Sequence, residues 1–239
     1  MALLEGRGVS KRFGGVQALE DVNFEVEAGS IVGLIGPNGA GKTTLFNIVA
    51  GAFPPSAGSV HFENTPITGL SAFRICRQGI ARTFQVTRPF GEMTCLENVA
   101  VAVVNRNQGC PRHKWENLAR EYLDAVGLAT LADTAAKHLN VVQKKRLEIA
   151  RSLGTEPKLL MLDEVLGGLN TQEIQEAIGF IRQLRDDRGL TVFWIEHVMG
   201  AIMQATEKVI VLDQGRILME GAPADVVADA RVIHAYLGD

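Results

Sequence analysis

Long apolar runs are missing from this 239-residue chain. No stretch approaches the roughly 20 apolar residues of a membrane-spanning helix, so any role at a membrane has to come through a partner. Cysteine is scarce. Cys76, Cys95 and Cys110 are odd in number and lack metal-ligand spacing, which fits a reducing, cytoplasmic setting and not a disulfide framework. A large charge of one sign is also absent. The formal net charge of −3 supplies no general attraction for nucleic acid. Met1 to Gly6 is no secretory leader. No internal repeat and no low-complexity tract is present.

What is present is enough apolar material, 46%, to fill a sizeable core. The length suits one large α/β domain or a core with a subdomain. The most informative stretch is Gly36-Pro37-Asn38-Gly39-Ala40-Gly41-Lys42-Thr43-Thr44, which fits the phosphate-binding loop pattern G-x-x-x-x-G-K-[ST]. Ser30 to Ile35 reads as a buried strand before it, and Thr43 to Ala50 as a helix after it. A triphosphate lying against backbone N–H groups requires bare positions at Gly36, Gly39 and Gly41. The helix start adds partial positive charge. Lys42 supplies a mobile full charge, and the Thr43 hydroxyl suits Mg²⁺. Thr44 either joins the cradle or packs in the helix.

The flanking chain reads as follows. Leu3 to Arg12 and Val16 to Val26 predict an antiparallel pair joined at Gly14-Gly15, with Leu19, Val22, Phe24 and Val26 on the buried side. Phe13 closes the first strand, either as a core aromatic or as a flat face for a base. Gly58 to Glu63 and Ile80 to Phe84 are further strands, with a short helix over Ser71 to Gln78 between them, and Gln85 follows the second. The character then changes. Leu96 to Val104 is apolar, and Trp115, Leu118, Tyr122 and Val126 have helical spacing. Leu131 to Leu139 is a further candidate helix. Together they predict a helical subdomain inserted in a sheet-based core, whose apolar residues pack internally or line a groove for a partner helix.

Leu139-Asn140-Val141-Val142-Gln143 precedes a helix predicted over Gln143 to Leu153. Asn140 and Gln143 make a capping-box pattern. Lys144, Lys145 and Arg146 crowd its first turn against the helix dipole. They form either a solvated patch or a seat for an anion. Leu159 to Leu162 reads as a central parallel strand, with Asp163 and Glu164 at its carboxyl end, where α/β sheets place ligands. Asp163 suits indirect contact with Mg²⁺, and Glu164 suits polarising a water. Thr171 to Arg188 is an amphipathic helix. Leu190 to Ile195 is the next buried strand, and His197 follows on the same rim as Glu164. A hairpin turns at Gln214-Gly215, and short helices over about Ala224 to Ala228 and Ala230 to Leu237 end the chain.

In this order, Phe13, the phosphate loop, Gln85, the capped helix start, Asp163-Glu164 and His197 resemble the ATP-binding subunit of an ABC transporter over nearly the whole chain. Ile80 to Gln85, Met93 to Val99, Lys145 to Arg151, Gly168 to Asn170 and Ala235 to Gly238 are similar to the branched-chain amino acid importer ATPases. Urea, amide and other hydrophobic amino acid importers share the pattern. The implied fold class is α/β. It has a phosphate-loop NTPase core of mixed sheet with an N-terminal antiparallel β subdomain, plus an inserted α-helical subdomain. The expected division is a core of residues 1–85 and 155–239, with residues 86–154 as the helical part, all in one domain.

The resemblance also implies roles. Phe13 would stack on adenine and Gly36 to Thr44 would hold the phosphates of ATP. Thr43 and Gln85 would ligate Mg²⁺, with Asp163 nearby. Glu164 would be the catalytic carboxylate and His197 a γ-phosphate contact. Gln85 would also report the state of the membrane partner. Such subunits work as face-to-face dimers at the cytoplasmic face of the membrane, beneath transmembrane permease subunits fed by a solute-binding protein. Each ATP lies between one phosphate loop and the other subunit's signature, usually Leu-Ser-Gly-Gly-Gln. Here Asn140, Val141, Val142 and Gln143 stand in the signature, and branched bulk replaces the glycines. Val165 also stands where proline usually follows the acid pair. The family precedent implies a heterodimer on two different membrane subunits, with a homodimer as the alternative, and opposite a normal signature the altered one predicts unequal sites. A lipid or lipopolysaccharide export ATPase has similar length. A nucleic-acid or ribosome ABC ATPase usually carries a coiled-coil insert or tandem units, and this chain has neither. A non-hydrolysing regulator fits the altered signature but not the intact Glu164 and His197.

Overall fold

The computed structural model describes residues 2–85, 87–107 and 111–237. Val86, Cys110 and Gly238 lie outside them. The chain opens with β1 (Ala2–Phe13) and β2 (Val16–Glu27), paired antiparallel. Leu19, Val22, Phe24 and Val26 are buried, and the intervening acids face out. The alternation slips by one between Leu19 and Val22, where the pairing is irregular and Asp21 takes a positive φ of 50°. Then come β3 (Ile31–Ile35), α1 (Lys42–Val49), β4 (Ala57–Phe62), β5 (Thr65–Pro66), α2 (Ala72–Gln78) and β6 (Ile80–Arg82). A helical stretch follows, with α3 (Cys95–Arg106), α4 (Arg112–Ala125) and α5 (Val141–Leu153). The chain ends with β7 (Leu159–Asp163), α6 (Thr171–Arg188), β8 (Thr191–Ile195), α7 (Met199–Ala205), β9 (Lys208–Asp213), β10 (Arg216–Gly221), α8 (Pro223–Ala228) and α9 (Ala230–Leu237).

Two sheets result. One is antiparallel, in the order β2-β1-β4-β5, and the other has the order β10-β9-β3-β8-β7-β6. Within the second, β9, β3, β8, β7 and β6 run parallel and β10 returns antiparallel. Strands β3, β7 and β8 are buried along their whole length, as expected when both faces of a sheet are covered. Their side chains alternate between two cores. Ile31, Ile35, Leu160, Leu162, Val192 and Trp194 face the helical layer. Val32, Leu34, Leu159, Met161, Phe193 and Ile195 face α1 and the antiparallel sheet. Phe193 joins the two sheets, with Phe24 at 5.9 Å and Phe46 of α1 at 4.9 Å.

The structure departs from the sequence reading at several places, and β6 stops at Arg82, short of the predicted Phe84. Residues 131–139 do not form a helix. Only single 3-10 turns occur, at Ala129–Leu131 and Ala136–His138. Amides of this segment donate to Met93 and Gly91, and its carbonyls at Thr134 and Ala132 accept from Cys95 and Leu96. Distant partners therefore take the groups a helix would need. Helix α5 starts at Val141, earlier than Gln143. Finally, α7 follows His197 and packs on β3, where a Cβ on Gly33 would lie 2.9 Å from Ile202. Its seven residues are too few for a periodic signal.

Candidate functional site

Strand β3 delivers the chain into the phosphate loop, and the loop turns directly into α1. Gly36 has φ 148° and Gly41 φ 104°, conformations closed to most side chains. Space excludes a side chain as well. A Cβ on Gly36 would lie 2.0 Å from the Leu212 carbonyl oxygen, and one on Gly41 would lie 2.6 Å from that of Ala18. Gly41 is the N-cap of α1, and no side chain caps that helix. Its first amides are therefore left for a ligand. The buried Lys42 Nζ donates to the carbonyls of Gly36 at 2.7 Å and Pro37 at 3.0 Å. Burial pushes its pKa down, opposed by the charges of Glu164 and Asp163. A buried ammonium facing carbonyls is a group that an anion would stabilise further.

Asp163 ends β7 and Glu164 follows it. The Glu164 backbone takes φ 51°, an unusual conformation for a non-glycine residue, and its amide donates to the Ile195 carbonyl at 3.0 Å. The carboxylate is gripped from two directions. Gln85 Nε2 donates to Oε2 at 2.6 Å, and His197 Nε2 meets Oε1. Glu164, His197, Ala18 and residues Asn38 to Thr44 line a pocket of about 200 Å³. Buried Glu196 supports this rim, accepting from the amides of Leu166 at 2.7 Å and His197 at 3.1 Å.

Asp163 is engaged elsewhere. Its Oδ2 pairs with Arg82 at 2.7 Å, almost fully buried, and Arg82 also reaches Asn47 Oδ1 at 2.6 Å. A second cleft of about 740 Å³ opens beside the first, lined among others by Thr43, Phe84, Gln85, Glu148, Arg151 and Asp163. Thr43 belongs to both pockets, and Gln85 carries the link from the cleft to Glu164. Among the described residues, no group of three His, Cys, Asp or Glu could hold a metal alone. The hydroxyl of Thr43, the amide of Gln85 and the carboxylate of Asp163 are oxygen donors that suit Mg²⁺, which usually completes its shell with phosphate oxygens and water.

Two predicted elements stand apart from this pocket. Phe13 does not line it. Its ring is 46% exposed, with the Phe53 ring at 5.3 Å and Lys11 Nζ at 5.1 Å. Asn140 to Gln143 do not line it either. They form the start of α5, where Asn140 Oδ1 accepts from the Gln143 amide at 2.8 Å and Gln143 Oε1 accepts from the Asn140 amide at 3.0 Å. Val141 is 62% exposed.

A family model for ABC transporters matches residues 19–167, more than half of the chain. The chain belongs to the ABC transporter family. A model for the C-terminal part of branched-chain amino acid ATP-binding cassette transporters matches residues 216–239. The chain is 40% identical over 250 residues to BraF of Pseudomonas aeruginosa, a high-affinity branched-chain amino acid transport ATP-binding protein, covering 99% of this chain and 98% of that one. It is 38% identical over the same span to LivG of Escherichia coli K12, described in the same words. Among solved structures it is similar to the ATP-binding cassette MJ1267 of an ABC transporter, with TM-score 0.91, 31% identity and full coverage of both chains. A nucleotide-free cassette of an ABC transporter gives TM-score 0.89 at 29% identity, again over both full chains. The chain is thus an ABC ATPase, and among its described residues no helix is long and apolar enough to cross a membrane.

Several residues of this ABC ATPase were not singled out by sequence reasoning, and the basic cluster on α5 was singled out for another role. Arg82, Asn47 and Glu196 hold the acids and the loop around them, as given above. Lys145 donates to the carbonyls of Val165 and Gly167, so this part of the basic cluster on α5 is neither a solvated patch nor an anion seat. Arg146 pairs with Glu176 at 3.7 Å. Glu148, one turn further, accepts from the Phe84 amide at 2.8 Å, and burial raises its pKa. A charged residue on a buried helix face is a signal that something polar lies opposite. Spacing alone could not name the partner.

Proposed function

We propose that the chain hydrolyses ATP to drive import of branched-chain or other hydrophobic amino acids. It would act as one of a face-to-face pair of ATPase subunits, peripheral to the membrane beneath permease subunits, with an extracytoplasmic solute-binding protein as a further partner. The observation that carries this is the meeting of Gln85, Glu164 and His197 across a pocket whose other wall is the uncapped phosphate loop. The relatives' transport names and the family match at residues 216–239 support the substrate class.

Roles follow from chemistry. The bare amides from Asn38 to Thr44 and the Lys42 ammonium would take the phosphates, and the exposed face of Phe13 would stack on the base. Glu164 would accept a proton from the attacking water, and His197 would contact the γ-phosphate. Thr43 and Gln85 would hold Mg²⁺, with Asp163 in indirect contact, and the ion when bound neutralises phosphate charge. Gln85 also lines the larger cleft. A permease segment seated there would bear on the same amide that touches Glu164. The single domain would divide into a core of residues 1–85 and 155–239 and a helical part of residues 86–154.

The signature adds asymmetry. This chain's loop, Glu164 and His197 would be completed by a normal signature on a different subunit. That subunit's ATP would face Asn140, Val141 and Val142 and turn over slowly. The test of function is affinity purification of the assembly from native membrane, with the accompanying solute-binding protein and its ligand identified. ATP turnover that rises with the loaded binding protein is expected. Recovery with a lipid-exporting permease, or turnover stimulated by nucleic acid, would reject the reading.

A further inference from the structure

The phosphate loop is braced from the far end of the chain. The Tyr236 hydroxyl on α9 accepts a hydrogen bond from the Gly36 amide at 2.6 Å, across 200 positions of sequence. Gly36 is buried, and a buried amide left without a partner is destabilising. The other end of this residue is held too, because the Gly36 carbonyl accepts from Lys42 Nζ. The two holds differ in permanence. On the ATP reading above, nucleotide draws the Lys42 ammonium toward phosphate and releases the Gly36 carbonyl. The Tyr236 hydroxyl has no such competitor.

The surroundings place Tyr236 firmly. Helix α9 buries Val232 and packs on α8 and β10. The hairpin between β9 and β10 touches the same loop. The Gly215 amide donates to the Ala40 carbonyl at 3.0 Å, and the Leu212 carbonyl closes the space beside Gly36. The C-terminal segment thus backs the phosphate loop from outside the pocket, with the Tyr236 hydroxyl as its polar contact at the strand end of the loop. We propose that Tyr236 is a positioning residue for the nucleotide. It fixes Gly36 so that the loop stays formed when Lys42 turns to phosphate, and α9 thereby sets the affinity of the loop for ATP. The inference rests on the ATP reading.

The test uses the full chain, Mg-ATP binding by calorimetry and amide hydrogen exchange. Tyr236→Phe keeps the ring and removes the acceptor. Binding is expected to weaken about fivefold, the value of one ordinary hydrogen bond. The Gly36 amide should exchange faster, while amides of β7 and β8 keep their rates. Ile233→Ala, on the exposed side of α9, should bind as the parent does. In the assembled transporter the KM for ATP should rise and kcat should hold, a split that general loosening of the fold would not give. If Lys42→Ala abolishes binding and Tyr236→Phe leaves it unchanged, the role of Tyr236 is overturned alone. If Lys42→Ala also binds normally, the ATP reading itself fails. A measurement on the parent chain needs no variant. Gly36 exchange should stay slow with and without nucleotide, and exchange as fast as that of exposed loop amides overturns the proposal.

Discussion

Two helix starts in this chain have opposite designs. Helix α1 begins at Gly41 with no side-chain cap, so its first amides are free and face a pocket. Helix α5 begins at Asn140 with a complete capping box, so its own side chains occupy the amides of Asn140 and Gln143. The neighbouring side chains differ in the same sense. Around α1 they are absent or cationic, at Gly39, Gly41 and Lys42. At α5 they are Val141 and Val142, and Val141 stands out toward solvent. On the proposed pairing of two ATPase subunits, both starts would face a nucleotide. The contrast teaches that a helix dipole does not make an anion site by itself. Free donors and open approach are needed as well.

The largest effect should come from Glu164→Gln in the assembled transporter. Loss of a positioned general base is worth about 10²–10⁴ in rate, read as steady-state kcat. The same change in the corresponding acid of a partner subunit should cost far less, because on the proposed pairing that acid would work opposite Asn140, Val141 and Val142. Equal losses from the two variants would reject the contrast between the helix starts. Next in size is Asn140→Ala. Loss of this cap should lower stability by about 1 kcal/mol, measured as a shift in denaturant midpoint. ATP binding to the isolated chain should not change, since α5 does not line the pocket. Weakened binding would mean that α5 supports the loop after all.

The smallest effect concerns the rim. Burial pushes the Glu196 carboxyl above its ordinary 4.5, so folding favours its protonated form. Its contribution to stability is complete below 4.5 and is lost as pH rises through the raised value. Glu196→Gln keeps an acceptor for the Leu166 amide and carries no charge. Its stability relative to the parent should therefore increase across that window, read from unfolding midpoints at a series of pH values. A difference that does not vary with pH would rule this out.

The phosphate loop was legible because its glycines, lysine and threonine must be contiguous to wrap a phosphate. Glu164 and His197 were legible by position, each following a run of buried residues that could only be a central strand. The cap at Asn140 was legible because it is local, three residues from its partner. The segment 131–139 was misread because its backbone partners lie around Gly91 to Leu96, too far along the chain for any window to weigh. Asp163 was expected beside the metal, and its engagement with Arg82 was invisible for the same reason. Lys145 was read as part of a solvated patch or an anion seat, and Glu148 was given no role. Their spacing does put them on one helix face, but the carbonyls and the amide they meet belong to the loops after Glu164 and before Gln85.

The linear order of residues determined where a phosphate can be wrapped, which strands are buried on both faces, and that α5 starts in its own capping box. Those properties depend on neighbours within a few positions, where bond geometry and side-chain reach decide. Folding alone decided that Gln85, Glu164 and His197 share one carboxylate, that Arg82 holds Asp163, and that Tyr236 closes on Gly36. Hydrogen bonds act over about 3 Å, and only the packing of β6, β7, β8 and β3 side by side, with α9 against β10, brings residues so far apart in sequence within that distance.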